Sequence, residues 1–247
     1  MSVLTPVLAP VGCRAARVGV CAVLVGVGGA GCASSSTGGH GGHAGHEARA
    51  DHQHGDGMPH RFDDAASWAK QFDAPERDAW QKPDEVVAAL ALPKDAVVAD
   101  VGAGTGYFAV RLAAAVPAGR VIGLDVEADM VRHMDERARA LGLTNMVGRL
   151  TPMDSAAVDD GTDLVLVVDT YHHISDRVPY FKALRQKLSA RGRLAIIDFR
   201  VDSERGPPAT HKIGPETVQA ELLEAGWVLS TSHDFLPDQY FLVFQPG

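Results

Sequence analysis

Short apolar runs separated by helix-patterned segments constrain the fold of this chain more than any other feature. The four clearest runs are rich in Val, Ile and Leu, and they occupy residues 96–101, 120–126, 163–169 and 193–199. Runs without a polar face are typical of strands buried on both sides of a parallel sheet. Because helical spacing fills the gaps between them, the chain predicts an α/β fold whose open sheet is covered by helices on both faces.

Three weaker runs complete the predicted sheet. Residues 146–150 indicate one more strand, and residues 227–232 and 240–244 indicate an antiparallel hairpin at the C-terminal end. The predicted sheet is therefore seven-stranded and mostly parallel. The helical patterns of residues 128–142 and 176–192 each end at a glycine, the residue that most often follows the last turn of a helix.

Residues 1–32 have the layout of a secretory signal, with two arginines, no acidic residue and an apolar run at 18–31 that is short for a membrane span. Their last letters, GAGC, resemble a bacterial lipobox, although Gly29 stands where that motif usually has an aliphatic residue. We therefore expect lipidation at Cys32 as the first mature residue, and a protein anchored in the cell envelope that faces the periplasm or the exterior. The alternatives are a plain signal, an uncleaved anchor or a misassigned start codon, the last of which would leave the protein cytoplasmic.

Residues 33–60 are rich in Gly, Ser and His and predict a disordered linker that holds the domain off the membrane. Neutral imidazole binds zinc, nickel and copper well, and several imidazoles on a flexible chain can converge on one ion. The candidate ligands are His40, His43, His46, His52 and His54. The segment is either a tether alone or a tether that also binds a divalent metal weakly, and neither interpretation makes it a catalytic site.

The cysteines and the net charge exclude two classes of protein. All three cysteines, Cys13, Cys21 and Cys32, lie in the predicted signal, so the mature chain can form no internal disulfide. The formal charge is −8, whereas proteins that bind nucleic acid depend on Lys and Arg to neutralise phosphates. Residues 61–247 are enough for one hydrophobic core, and we expect them to form a single domain that binds no DNA or RNA.

A glycine-rich loop follows the first predicted strand, in VVADVGAGTGYFAVRLA at residues 97–113. Glycines let a backbone turn tightly and approach a ligand closely, and ligands of open α/β sheets bind at the carboxyl ends of the strands. This segment resembles motif I, D-x-G-x-G-x-G, of class I S-adenosylmethionine-dependent methyltransferases, and the resemblance covers the order of elements over residues 83–245. It implies an enzyme that transfers a methyl group from S-adenosylmethionine to a small-molecule or lipid-like acceptor.

The resemblance also implies a cofactor site. Asp100 would hold the ammonium group of the methionine moiety above a floor of glycines, and Asp125 would accept hydrogen bonds from both ribose hydroxyls. In the segment TPMDSA, Met153 would contact the adenine ring and Asp154 its exocyclic amine. The implied cofactor-binding residues are Asp100, Gly102, Gly104, Gly106, Tyr107, Asp125, Met153 and Asp154.

The segment DTYHHISDR, at the end of the strand pattern of residues 163–169, holds the candidates for proton transfer. A general base is needed only when the nucleophile arrives protonated, and histidine titrates near neutral pH. The candidate catalytic residues are Asp169, His172 and His173, with a purely structural role for the histidine pair as the alternative. Residues expected to line the acceptor pocket are Trp80, Tyr171 and Asp198.

Two flanking segments are expected to act as lids. Residues 61–82 predict N-terminal lid helices, in which one face carries Phe62, Ala65, Ala66, Ala69 and Phe72. Residues 203–214 form the second lid, where His211 and Lys212 could bind an anionic group. The alternative function is a non-catalytic lipoprotein that is tethered to a membrane, binds metal through its histidines and retains an adenosyl-binding fold.

Overall fold

A computed structural model describes residues 65–155 and 157–247 of the chain. These residues belong to one compact unit, Gln53–Gly247. The predicted signal, the histidine-rich linker and Phe62 lie outside the described residues, and so do Cys32 and the five candidate metal ligands. None of the helices in the described part is long and apolar enough to cross a membrane.

The described residues form seven strands and seven α-helices. The strands are β1 (Val97–Val101), β2 (Arg120–Asp125), β3 (Met146–Leu150), β4 (Thr162–Val168), β5 (Leu188–Phe199), β6 (Trp227–His233) and β7 (Gln239–Pro246). The helices are α1 (Ala65–Phe72), α2 (Glu76–Gln81), α3 (Pro83–Leu90), α4 (Tyr107–Ala115), α5 (Ala128–Ala140), α6 (Arg177–Arg185) and α7 (Pro215–Glu224). Two short 3₁₀ turns, Tyr171–His173 and Ala209–His211, follow β4 and β5.

The strands form a single sheet in the order β3-β2-β1-β4-β5-β7-β6. The first five strands of this order are parallel, and β7 pairs antiparallel with both β5 and β6. This arrangement confirms the predicted open α/β sheet with an antiparallel C-terminal hairpin.

Each face of the sheet carries its own hydrophobic core. On one face α3, α4 and α5 pack against residues such as Val98 and Phe241. On the other face α6 and α7 pack against residues such as Ile196 and Trp227. Full burial of one such side chain contributes about 1.5–3 kcal/mol to folding, which explains why strands with no polar face are stable here.

The two predicted helix ends at glycines have different outcomes. Gly142 follows α5 with a φ of +67° and ends it as predicted. The prediction for residues 176–192 is wrong, because α6 ends at Arg185 and Gly192 lies inside β5. Helix propensity is overridden there by long-range contacts, since Ser189 and Arg191 both donate hydrogen bonds to Asp163.

Candidate active site

The carboxyl ends of the parallel strands bring four acidic residues to one edge of the sheet, which we call the carboxyl edge. Asp100, Asp125 and Asp198 lie at the ends of β1, β2 and β5, and Asp169 directly follows β4. Because β7 runs the opposite way, its first residue, Gln239, lies at the same edge. The chain reverses its winding between β1 and β4, which is where ligands bind in open α/β sheets.

The glycine-rich loop begins at this edge with a backbone that requires glycine. Gly102, Gly104 and Gly106 have φ values of +71°, +54° and +80°, a region that side chains other than glycine disfavour. The amides of Gly102 and Ala103 both donate to the carbonyl of Leu124, at 2.9 and 3.0 Å. The loop is thereby held against the end of β2, with Gly106 at the start of α4.

Asp125 is held with both carboxylate oxygens oriented. Its Oδ2 accepts a hydrogen bond from the amide of Gly104 at 2.8 Å, and its Oδ1 accepts one from the amide of Glu127 at 3.0 Å. Burial raises the pKa of Asp125, while these backbone hydrogen bonds lower it. Each carboxylate oxygen can accept more than one hydrogen bond, so the group fits a vicinal diol such as the ribose of the implied cofactor.

The loops after β2 and β3 present apolar side chains next to Asp125. Val126 is 42% exposed and Met153 is 66% exposed, and the amide of Thr151 ties the second loop to the carbonyl of Asp125 at 2.9 Å. Asp154 follows Met153 and is exposed. Exposed apolar groups beside a diol-binding carboxylate fit a planar base, so this end of the site suits an adenosyl group.

Asp100 stands behind the glycine loop and is almost fully buried. Burial raises its pKa to about 7, and the positive charge of Arg77 opposes this rise. A cationic ligand group would stabilise the ionised form of Asp100 in the same way. Asp100 therefore fits the ammonium group that the resemblance assigns to it.

Helices α1 and α2, with residues 65–82, form a strap over the glycine loop. A methyl group placed on Gly104 would lie 3.6 Å from the ring of Phe72. Asp73 accepts hydrogen bonds from the Thr105 hydroxyl at 3.1 Å and from Arg137 at 2.7 Å. The strap is thus fixed to both the loop and α5.

Asp169 is the centre of a partly buried polar network between the strap and β7. Its backbone is left-handed, with a φ of 53°. Its carboxylate accepts hydrogen bonds from Gln81 at 3.1 Å and from Gln239. Burial raises the pKa of Asp169, Arg77 opposes the rise, and the neighbouring carboxylate of Asp198 adds to it.

His172 and Asp198 form a buried pair at the same edge. His172 Nδ1 lies 2.9 Å from Asp198 Oδ2, and the two side chains are only 5% and 4% exposed. Although burial lowers the pKa of His172, the hydrogen bond and charge of Asp198 raise it above its usual value. Within the described residues the Nε2 atom of His172 makes no hydrogen bond. His173 is exposed, and its ring centre lies 4.2 Å from that of His172.

Trp80 connects the two segments predicted to be lids. Its ring lies 5.8 Å from that of Phe199, and the guanidinium of Arg205 lies 5.3 Å from its centre. Arg205 belongs to the second lid, so this lid contacts the strap directly. Lys212 in the same lid, which was expected to bind an anion, donates one of its N–H groups to the carbonyl of Ser203.

Tyr171 is not brought to the carboxyl edge. Its side chain is fully buried, its ring stacks on that of Phe181 at 5.3 Å, and its hydroxyl donates to Glu221 at 2.6 Å. The 3₁₀ turn directs Tyr171 into the core and His172 to the edge. The described residues contain no group of three or more His, Cys, Asp or Glu that could hold a metal ion.

A model of the methyltransferase domain family matches residues 92–232, which is more than half of the chain. The chain belongs to this family. S-adenosylmethionine is the cofactor of this methyltransferase domain, in agreement with the fit of the adenosyl site.

Curated relatives match only part of the chain. It is 31% identical to trans-aconitate 2-methyltransferase of Afipia carboxidovorans over 100 residues, which are 40% of this chain and 37% of that protein. It is 26% identical to 27-O-demethylrifamycin SV methyltransferase of Amycolatopsis mediterranei over 166 residues, 61% of each protein. The chain therefore spans less than two thirds of either relative.

A solved structure covers the chain more fully. The crystal structure of a SAM-dependent methyltransferase from Aquifex aeolicus superposes with a TM-score of 0.68 at 24% identity. The alignment covers 73% of this chain and 97% of that chain. This likeness shows that the two proteins share a fold.

Proposed function

We propose that this domain methylates a hydroxyl group of a small-molecule or lipid-like acceptor, with His172 as the general base. The His172–Asp198 pair is the observation that carries the proposal, because a hydroxyl nucleophile arrives protonated and needs a base. When bound, S-adenosylmethionine supplies an electrophilic methyl group on a sulfonium. The name 27-O-demethylrifamycin SV methyltransferase agrees with an oxygen nucleophile.

Asp198 positions His172 for this role. Its carboxylate accepts a hydrogen bond from Nδ1–H, which leaves Nε2 as the lone-pair nitrogen of the neutral ring. The negative charge of Asp198 also stabilises the imidazolium that forms when Nε2 takes a proton, as in the histidine–aspartate pairs of other enzymes. Trp80 packs against the ring of Phe199, the residue that follows Asp198. The family membership gives no support to the non-catalytic alternative.

Calorimetric titration of the protein with S-adenosylmethionine tests the cofactor half of the proposal. We expect micromolar binding that Asp125→Ala weakens by about 1.5–3 kcal/mol, the usual loss for a hydrogen bond to a charged group. Asp160→Ala removes an exposed carboxylate that pairs with Lys187, and it should leave the affinity unchanged. Absence of binding at millimolar ligand would contradict the proposed function.

We further propose that the domain is tethered to a membrane in the cell envelope through a lipid on Cys32, with a histidine-rich linker that takes up divalent metal. The layout of residues 1–32 and the five histidines support this proposal. Cells fed labelled palmitate are expected to label the wild-type protein and not Cys32→Ala. Equal labelling of the two proteins would rule out a lipid at this position.

A further inference from the structure

Arg77, on α2 of the strap, has a side chain that is only 15% exposed and a guanidinium whose hydrogen-bonding capacity is partly used. Its Nη1 donates to the carbonyl of Phe72 at 2.6 Å, and its Nε donates to Gln81. Nη2 makes no hydrogen bond within the described residues, and it lies 3.8 Å from Asp169 Oδ2. A guanidinium has five N–H groups, and those on Nη2 lie within ion-pair distance of Asp169 but beyond hydrogen-bonding distance. Arg77 is therefore ready to bind an anion.

The surroundings of Arg77 place this free donor beside the cofactor site. The guanidinium lies 4.0 Å from the ring centre of Tyr107, the residue that follows the last glycine of the loop. Its positive charge also acts on Asp100, where it opposes the rise in pKa that burial causes. One cation and one carboxylate thus lie together at the start of α4, next to the glycine loop.

Two other arginines near the loop donate hydrogen bonds to acids, whereas the ion pair of Arg77 with Asp169 is longer, at 3.8 Å. Arg137 donates to Asp73 at 2.7 Å, and Arg111 donates to Asp78 at 3.1 Å. Arg77 is also more buried than either, with 15% of its side chain exposed. A charge-assisted hydrogen bond is stronger where water is excluded, so an anionic group of the cofactor gains most from Arg77.

We propose that Arg77 binds the α-carboxylate of S-adenosylmethionine while Asp100 binds the α-ammonium group. This inference rests on the proposed function, because it concerns the same cofactor. The planar guanidinium suits a carboxylate, which can accept two parallel hydrogen bonds from it. The strap then does more than cover the site: it selects ligands that carry an amino-acid tail.

Two ligands separate this role from a general loosening of the strap. S-adenosylhomocysteine and 5′-methylthioadenosine both carry adenosine and a thioether, but only the first has the amino-acid tail. By calorimetry we expect Arg77→Met to weaken S-adenosylhomocysteine about 10- to 100-fold and 5′-methylthioadenosine less than about 3-fold. Arg77→Lys keeps the charge and should recover part of the loss.

Arg111→Met is the matched control. Arg111 also faces the Tyr107 ring, at 4.2 Å, but its charge is paired with Asp78. The ratio of the two affinities should stay at its wild-type value in this variant. The ratio is insensitive to a partly unfolded sample, because unfolded protein lowers the measured stoichiometry for both ligands equally.

Three results would overturn the inference. If Arg77→Met weakens both ligands by the same factor, Arg77 only holds the strap in place. If it weakens neither, the carboxylate is bound elsewhere. If wild-type protein binds neither ligand, the proposed function itself fails and this inference fails with it, which distinguishes that case from the first two.

Discussion

Replacing His172 with glutamine is expected to lower the rate of methyl transfer about 10²- to 10⁴-fold, the usual contribution of a general base. The amide of glutamine can donate a hydrogen bond to Asp198 but cannot take up a proton. The affinity for S-adenosylmethionine should not change, because His172 is not among the residues proposed to contact the cofactor. The measurement is transfer of tritium from methyl-labelled S-adenosylmethionine into the small-molecule and lipid fractions of a cell extract.

Asp198→Asn gives a second readout for the same pair. The carboxylate raises the pKa of His172, and the neutral ring is the form that can accept a proton. The variant should therefore have a lower maximal rate, with the acid limb of its pH profile moved to lower pH. His133→Gln on α5 is the matched control and should keep the wild-type rate. A wild-type rate in His172→Gln, or an unmoved acid limb in Asp198→Asn, would exclude His172 as the base.

Gly102→Ala is expected to lower the free energy of unfolding by about 2–5 kcal/mol. Two effects add at this position. The φ of +71° disfavours any side chain, and a new Cβ would come within 2.9 Å of Thr170 Cβ and closer still to its Oγ1 and Cγ2 atoms. Because Thr170 follows Asp169, the clash is expected to disturb the acceptor side as well. Chemical denaturation measures the loss directly.

Gly142→Ala separates the two effects. Its φ is +67°, but a Cβ there would meet no atom within 4 Å. We expect this variant to lose only about 1–2 kcal/mol, the cost of a left-handed backbone. The difference between the two variants measures the clash, and adding Thr170→Ala to Gly102→Ala should recover part of it. Equal losses at the two glycines would show that Thr170 moves aside at no cost.

The strands could be predicted because each is specified locally. A run such as residues 163–169 has no polar face, which predicts a strand that is covered on both sides of the sheet. The structure has β4 at Thr162–Val168, with every residue buried. The start of β5 could not be predicted in this way. Residues 188–192 have helical composition, and contacts with Asp163 decide their structure.

The same division applies to the site. Asp100 and Asp125 end apolar runs beside a glycine motif, and the structure brings both to the glycine loop. No local pattern points to Gln81 or Gln239, which are 158 positions apart in the chain and hydrogen-bonded to each other. The strand order, which brings the start of β7 to the carboxyl edge, places Gln239 within reach of Gln81. Tyr171, expected at the acceptor pocket, lies in the core instead, because adjacent residues in a 3₁₀ turn point to different surroundings.

The order of strands has a consequence for how such enzymes diversify. The contacts suited to the adenosyl group lie on β1, β2 and the loop after β3, whereas His172, Asp198 and Gln239 lie on or after β4, β5 and β7. One half of the sheet can therefore stay constant while the other is rebuilt for a new acceptor.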